Sequence, residues 1–173
     1  MLLNINNKIN ITLCGMMGSG KSAIGKILAN KLNYNFIDVD KIIENEAKKT
    51  IKKIFEEDGE AYFRDLEEKI TIKTLKNRET IVSLGGGAIV NNNIRNFVEK
   101  NSYNIYLKVD VDILTKRLQN SRTRPLIYNK NLKTELINLI NKRKKFYQKA
   151  DLIIQNEKNI IETTENIIKK IVN

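Results

Sequence analysis

The chain has 173 residues, which is the length of one domain and long enough to bury a hydrophobic core. It is 41% hydrophobic and 29% charged, has no long apolar leader, and has no apolar run near the roughly 20 residues of a membrane span. We therefore expect a soluble, cytoplasmic protein without a membrane partner. The chain contains no histidine and one cysteine, which excludes catalysis or metal binding by histidine and excludes an internal disulfide.

The formal net charge of +11 raises the question of a nucleic-acid partner. The lysines are scattered along the chain, however, without a long basic block and without interleaved aromatic residues. A positive field of this kind also attracts small anionic substrates. We therefore expect small-molecule substrates and no nucleic-acid partner.

Residues 9–22 carry the most informative pattern in the chain. Alternating apolar residues predict a strand, and Gly15, Gly20, Lys21 and Ser22 then match G-x-x-x-x-G-K-[ST]. An apolar helical face follows, so the motif has the strand–loop–helix context that it requires. The backbone N–H groups of such a loop and of the helix N-terminus surround a triphosphate. Lys21 neutralises the outer phosphates, and the Ser22 hydroxyl suits one position around Mg²⁺.

Two carboxylates end the next predicted strand, over residues 34–40. Residues two apart in an extended segment face the same side, so Asp38 and Asp40 are expected to project together at the carboxyl end of the strand. Ligands of open parallel sheets bind there. The two carboxylates are suited to holding Mg²⁺ through water and to accepting a proton from a hydroxyl group. A helix-capping role would explain Asp40 but not Asp38.

Residues 41–76 predict helix in several pieces, with Thr50 as an N-cap and Gly59 as a break. In the longer second piece, Arg64 and Glu67 lie three residues apart and are neighbours on one turn. Periodicity alone favours an ordinary surface ion pair for these two residues.

A short apolar strand over residues 80–87 ends in three consecutive glycines, which is more than a turn needs. The excess predicts close approach of a ligand to the backbone, and a flexible strand-to-helix turn is the alternative. A fourth strand over residues 103–109 and a helix capped by Asp110 follow.

Residues 119–132 form a polar, basic loop, which we interpret as a lid that brings Arg124 onto the transferring phosphoryl group and excludes water. Beyond it, Thr134 is predicted to open a helix, residues 152–154 form a short fifth strand, and an amphipathic helix ends the chain. Strands and helices alternate throughout, which predicts an α/β fold with a parallel sheet and right-handed crossovers.

These motifs together resemble those of the shikimate kinases over nearly the full length of the chain. The resemblance is carried by residues 15–22, Asp38 with Asp40, Phe63 with Arg64 and Glu67, residues 85–87, residues 124–126, and Arg143 with Tyr147. It implies a three-layer P-loop kinase fold of the nucleoside-monophosphate-kinase type, with a five-stranded parallel sheet flanked by helices. It also implies a small helical substrate-binding region near residues 40–70 and a mobile lid near residues 119–132. The implied reaction moves the γ-phosphoryl group of ATP to the 3-hydroxyl of shikimate, a step of chorismate and aromatic amino-acid biosynthesis.

The resemblance also implies roles for individual residues. Asp40 would bind the ring hydroxyls and activate the attacking one, with Lys21 and Arg124 as further catalytic residues. ATP would be bound by Gly18, Ser19, Gly20, Lys21, Ser22, Ala23, Arg117 against adenine, and Arg124 between phosphate and substrate. Shikimate would be bound by Asp40, Arg64 and Arg143 on its carboxylate, the backbone of Gly86 and Gly87, and an apolar wall of Phe55, Phe63 and Met17. Mg²⁺ would be held by Ser22 and Asp38.

The chain departs from the family pattern at Ala23, where many members have threonine, and in residues 155–159. This second segment stands where the adenine loop is expected and lacks the proline of some members, so the adenine contacts stay open. A kinase of the same fold for nucleoside monophosphates or gluconate is an alternative function, which the glycine run and the two aspartates oppose. A nucleotide-dependent switch would leave Arg64 and Arg143 without a role. We expect one domain, residues 1–173, acting as a monomer.

Overall fold

The computed structural model describes residues 3–119, 131–157 and 159–172. Its strands are β1 (Asn10–Cys14), β2 (Asn35–Asp38), β3 (Thr80–Ser83), β4 (Ser102–Lys108) and β5 (Leu152–Gln155). Its helices are α1 (Lys21–Leu32), α2 (Val39–Ala47), α3 (Ile51–Lys53), α4 (Gly59–Thr74), α5 (Asn92–Asn101), α6 (Val111–Leu118), α7 (Leu132–Tyr147) and α8 (Ile160–Ile171). A π-helical turn (Ile54–Asp58) joins α3 to α4, and a 3₁₀ turn (Ala88–Val90) precedes α5. This alternation confirms the predicted α/β class.

The five strands form one parallel sheet in the order β2-β3-β1-β4-β5. β1 is the central strand, and its Ile11 lies opposite Ile81 of β3 on one side and Tyr103 of β4 on the other. The chain places β2 and β3 on one side of β1 and then β4 and β5 on the other side. The connections to these two pairs of strands therefore run in opposite directions from the carboxyl end of β1. Open α/β sheets bind ligands at such a point.

Apolar side chains cover both faces of the sheet, which confirms the three-layer arrangement. On one face, Ile11 and Leu13 of β1 pack with apolar residues of α1 and α8. On the other face, Cys14, Val82 and Tyr106 pack with apolar residues of α2, α4, α5 and α7. Among the helices in the described part of the chain, none combines the length and apolar character needed to cross a membrane.

Two predicted boundaries are wrong. β2 ends at Asp38, and Asp40 lies in the first turn of α2 rather than in an extended segment. Val39 and Ile43 are buried four residues apart, a helical spacing that places this stretch in a helix. α7 begins at Leu132, ahead of the predicted Thr134, because the Asn131 side chain caps it by accepting a hydrogen bond from the Thr134 backbone.

Other local predictions are confirmed. The Thr50 hydroxyl accepts a hydrogen bond from the Lys53 backbone, and the Asp110 carboxylate caps α6. The region near residues 40–70 is helical and consists of α2, α3, the π-helical turn and most of α4. The predicted lid falls mostly on residues 120–130, and these, with Arg124 among them, lie outside the described residues.

Candidate active site

The loop between β1 and α1 has the tight backbone path that the glycine pattern predicts. Gly15 has φ +144° and Gly20 has φ +87°, which are conformations that L side chains rarely adopt. A Cβ atom at Gly15 would also lie 2.7 Å from the Leu107 carbonyl oxygen. The chain therefore needs glycine here in order to turn beneath the N-terminus of α1. We refer to residues 15–22 as the phosphate loop.

Lys21 lies inside the phosphate loop rather than in solvent. It is only 9% exposed, and its Nζ donates hydrogen bonds to the carbonyl oxygens of Gly15 at 2.9 Å and Met16 at 3.0 Å. The helix begins at Lys21 itself and its N-cap is Gly20, so backbone N–H groups at the positive end of the helix dipole lie beside this ammonium group. The loop thus concentrates positive charge where a polyphosphate would bind.

Asp38 and Ser22 form the candidate metal site. The Ser22 hydroxyl donates to the Asp38 carboxylate at 2.5 Å, which brings two oxygen ligands together at the edge of the phosphate loop. Mg²⁺ is usually held by one or two protein oxygens together with water and phosphate, so this donor set fits it. Within the described ranges, no group of three or more His, Cys, Asp or Glu residues is arranged to hold a metal ion.

A pocket lies next to the phosphate loop, at the carboxyl ends of β2 and β3. The lining residues are Met17, Asp40, Ile51, Phe55, Phe63, Arg64, Glu67, Gly85, Gly86, Gly87 and Arg143. They include each residue predicted to bind shikimate. We refer to this pocket as the acceptor pocket. Phe55 and Phe63 form its apolar wall, with their ring centroids 4.8 Å apart.

Two guanidinium groups flank the glycine segment of the acceptor pocket. Arg143, which is buried, donates from Nη1 to the Gly86 carbonyl oxygen at 3.1 Å. A Cβ atom at Gly87 would lie 2.9 Å from Nη1 of Arg64. Two planar cations beside consecutive residues are suited to bidentate recognition of a carboxylate.

Glu67 overturns the interpretation of its pair with Arg64 as an ordinary surface contact. Glu67 is 1% exposed, and its Oε2 accepts a hydrogen bond from Arg64 Nη1 at 2.7 Å. Burial raises the pKa of Glu67, Arg64 opposes that shift, and the nearby Asp40 adds to it. Within the described residues, the second oxygen of Glu67 has no hydrogen-bond partner, and a Cβ atom at Gly85 would overlap it. Residue 85 must therefore be glycine to admit the carboxylate.

Tyr147 is a further residue of this region to which the sequence reasoning gave no role. Its hydroxyl donates to the Gly86 carbonyl oxygen at 2.5 Å, and its ring stacks on Tyr106 with centroids 4.8 Å apart. The Gly86 carbonyl therefore accepts from both Tyr147 and Arg143 of α7. Because the peptide is trans, the Gly87 N–H points the opposite way. No local sequence signal identifies this contact, since 61 residues separate the two partners.

The phosphate loop and the acceptor pocket share a wall. A Cβ atom at Gly86 would lie 3.3 Å from the Met17 backbone nitrogen and 3.7 Å from the Gly15 carbonyl oxygen. The Met16 sulfur lies 3.8 Å from Arg143 Nη1 and 3.6 Å from the Tyr147 hydroxyl. A phosphate in the loop and a small ring in the pocket would therefore be close neighbours.

The two aspartates serve different parts of this site. Asp38 contacts the phosphate loop through Ser22, whereas the Asp40 Oδ1 lies 3.0 Å from where a Cβ atom at Gly85 would be, inside the acceptor pocket. Arg117 of α6 donates to the Gly18 carbonyl oxygen at 3.1 Å and so lies against the phosphate loop. Ala23 lies in the first turn of α1.

Comparisons with known proteins agree on one family. The shikimate kinase family model matches residues 17–173. A shikimate kinase from Bartonella henselae is 39% identical over 172 residues, covering 99% of this chain and 81% of that protein. One from a Sulfurihydrogenibium species is 43% identical over 164 residues, covering 94% of this chain and 97% of that protein. The solved structure of shikimate kinase from Acinetobacter baumannii in complex with shikimate matches with a TM-score of 0.92 at 30% identity, covering 95% of this chain and 93% of that chain.

Proposed function

The chain belongs to the shikimate kinase family, and on that basis we propose that it transfers the γ-phosphoryl group of ATP to the 3-hydroxyl of shikimate. The products are shikimate 3-phosphate and ADP, and the reaction is a step of chorismate and aromatic amino-acid biosynthesis. The observation that carries the proposal is the shared wall at Gly86, where the phosphate loop meets a pocket with two guanidinium groups and a carboxylate.

The phosphate loop binds the nucleotide in this proposal. The backbone N–H groups of residue 18 and of residues 20–23, the last three at the N-terminus of α1, surround the phosphates, and the Lys21 ammonium group neutralises the outer ones. The Ser19 N–H donates instead to the Met16 carbonyl oxygen. Ser22 and Asp38 hold the divalent metal, which we propose to be Mg²⁺. When bound, Mg²⁺ withdraws charge from the phosphate oxygens. Arg117, already against the loop at Gly18, is proposed to contact the adenine.

The acceptor pocket binds shikimate. Arg64 and Arg143 clamp its carboxylate, the backbone of Gly86 and Gly87 contacts the ring substituents, and Phe55, Phe63 and Met17 cover the apolar face of the ring. Asp40 holds the ring hydroxyls, orients the attacking one and accepts its proton. Phosphoryl transfer has a loose transition state, so a carboxylate that aligns the nucleophile and takes the proton late is sufficient.

Arg124 and the segment around it complete the proposal. We place Arg124 on the transferring phosphoryl group, where its charge would offset that of the transition state, and residues 119–132 over the site as a lid. Both substrates meet within one chain, which supports action as a monomer. Cys14 is a free, buried thiol whose pKa is raised to about 12 by burial, and a chain without an internal disulfide suits a cytoplasmic location.

A coupled ADP-release assay with MgATP and a panel of acceptors tests the proposed function. Shikimate should support turnover, whereas nucleoside monophosphates, gluconate and water should support little. Equal turnover with a nucleoside monophosphate or gluconate would favour a different kinase of this fold. Slow hydrolysis that does not respond to any acceptor would favour a nucleotide-dependent switch.

Arg64→Ala is expected to weaken shikimate binding by roughly 2–5 kcal/mol, because it removes one half of the carboxylate clamp from a largely desolvated position. Binding of MgATP should change little. Titration calorimetry with shikimate alone measures the effect directly. Lys69→Ala is the matched control, since Lys69 is on the same helix but pairs with Asp65 in solvent. An unaltered Kd for shikimate in Arg64→Ala would contradict the clamp.

A further inference from the structure

Asn156 is a buried polar residue to which the proposed mechanism gives no role, and it lies in the segment, residues 155–159, where the adenine loop is expected. It follows β5 directly, is 1% exposed, and its backbone N–H donates to the Lys108 carbonyl oxygen of β4 at 2.8 Å. Its side-chain Nδ2 donates to the Ser19 carbonyl oxygen at 2.7 Å, and its Oδ1 accepts a hydrogen bond from the Thr163 hydroxyl at 2.8 Å. The side-chain amide of Asn156 therefore ties the phosphate loop to the first turn of α8, and its backbone N–H ties the same residue to the end of β4.

The contact with Ser19 fixes the orientation of one peptide of the phosphate loop. The Ser19 carbonyl and the Gly20 N–H belong to the same trans peptide and point in opposite directions. When Asn156 holds the Ser19 oxygen on the side of β5 and α8, the Gly20 N–H is turned away from them. Ser19 is itself buried, and its hydroxyl has no hydrogen-bond partner among the described residues, so it supplies no competing anchor.

The same amide also packs against Gly20. A Cβ atom at Gly20 would lie 2.9 Å from Asn156 Nδ2, and Gly20 has φ +87°. Glycine loses more conformational freedom on folding than any other residue, so contacts from neighbouring side chains are needed to fix the backbone of Gly20 in the folded loop. The single proton of the Thr163 hydroxyl lies between two acceptors, Oδ1 of Asn156 at 2.8 Å and the Asn159 carbonyl oxygen at 3.0 Å, and the NH₂ group of Asn156 faces Ser19.

We propose that Asn156 is a positioning residue for the nucleotide: through the Ser19 carbonyl it keeps the Gly20 N–H aimed at the phosphates. The inference rests on the proposed function in so far as that function makes ATP the ligand of the loop. Asn156 follows β5, which is at the opposite edge of the sheet from β2, and it does not line the acceptor pocket. Its effect is therefore confined to nucleotide binding and to the phosphoryl-transfer step.

The structure offers a matched control in Asn10. Asn10 is 2% exposed, and its side chain donates to the carbonyl oxygens of Leu75 at 3.1 Å and Asn77 at 2.7 Å and accepts from the Thr80 backbone at 3.1 Å. It lies at the amino end of β1, the end of the sheet far from the phosphate loop. Asn10 and Asn156 are thus both buried, and each donates from its side-chain NH₂ group to backbone carbonyl oxygens, at opposite ends of the sheet.

Titration calorimetry of the full chain with MgATP alone, and separately with shikimate alone, tests the proposal. Asn156→Leu keeps the approximate shape but removes the donor. It should raise the Kd for MgATP about tenfold, near the lower end of what one lost hydrogen bond to a charged group costs, and leave the Kd for shikimate unchanged. Asn10→Leu should lower the melting temperature and leave both Kd values unchanged. Thr163→Val removes a hydroxyl that contacts both Asn156 Oδ1 and the Asn159 carbonyl oxygen. It should raise the Kd for MgATP about threefold, and it is the second variant to measure if Asn156→Leu does not fold.

An unchanged Kd for MgATP in the folded Asn156 or Thr163 variants would overturn the proposal. So would an equal loss for both ligands, or an equal loss of MgATP affinity in the Asn10 variant, because each would indicate a purely structural role. The titration with MgATP needs no acceptor. If the unaltered chain binds MgATP but does not phosphorylate shikimate, the proposed function fails while the comparison of Asn156 with Asn10 still decides the role of Asn156.

Discussion

Asp40→Asn is expected to lower kcat by about 10²–10⁴-fold, the usual contribution of a positioned acid–base group. Asparagine has nearly the shape of aspartate and keeps a hydrogen-bond acceptor in the acceptor pocket, but it cannot take the proton of the attacking hydroxyl. The Kd for MgATP should stay within about twofold of the original value, because Asp40 faces Gly85 rather than the phosphate loop.

Steady-state kinetics with shikimate, combined with titration of MgATP, separates these two effects. Asp65→Asn is a suitable control because Asp65 lies in the same helical region and pairs with Lys69 at the surface. A kcat unchanged by Asp40→Asn would remove Asp40 from the mechanism and would point to another acceptor for the proton.

Lys21→Ala is expected to lower kcat by about 10²–10³-fold, the loss typical for a preorganised donor that faces developing charge. It should also weaken MgATP binding, because the ammonium group is held over the phosphate loop by the carbonyl oxygens of Gly15 and Met16. The Kd for shikimate measured without nucleotide should change little.

Rates under saturating MgATP and the Kd for each substrate are the measurements that check this prediction. Lys26→Ala controls for the loss of one positive charge, since Lys26 lies on the same helix with an exposed side chain. Lys21→Met, which keeps the length of the side chain, distinguishes loss of charge from loss of packing. Substantial activity in both Lys21 variants would contradict the assigned role.

Sequence reasoning predicted the phosphate loop well because its geometry is local. The strand, the glycines and the helix are consecutive in the chain, and each residue type follows from the backbone path that a phosphate requires. The strand-to-helix boundary at Asp38 was harder to predict, since residues 39–43 can satisfy an extended or a helical pattern. The buried spacing of Val39 and Ile43 shows that the helix prevails.

The acceptor pocket could be predicted only in part. Its residues were assigned by resemblance, whereas the contacts that hold them join distant parts of the chain: Arg143 and Gly86 are 57 residues apart, and Tyr147 and Gly86 are 61 apart. Glu67 illustrates the physical reason. Periodicity along α4 cannot reveal what covers the helix, and the glycine at position 85 that admits the Glu67 carboxylate comes from another element.

The Gly86 carbonyl and the Met16 sulfur are both contacted by the same two side chains of α7. A shift of that helix would therefore change contacts on the nucleotide side and on the acceptor side together, and we expect the affinities for the two substrates to be thermodynamically linked. If one bound substrate changes the dissociation constant of the other by some factor, the second substrate changes the dissociation constant of the first by the same factor. In such an arrangement, an inhibitor that binds only the phosphate loop or only the acceptor pocket also changes the affinity of the other site for its substrate.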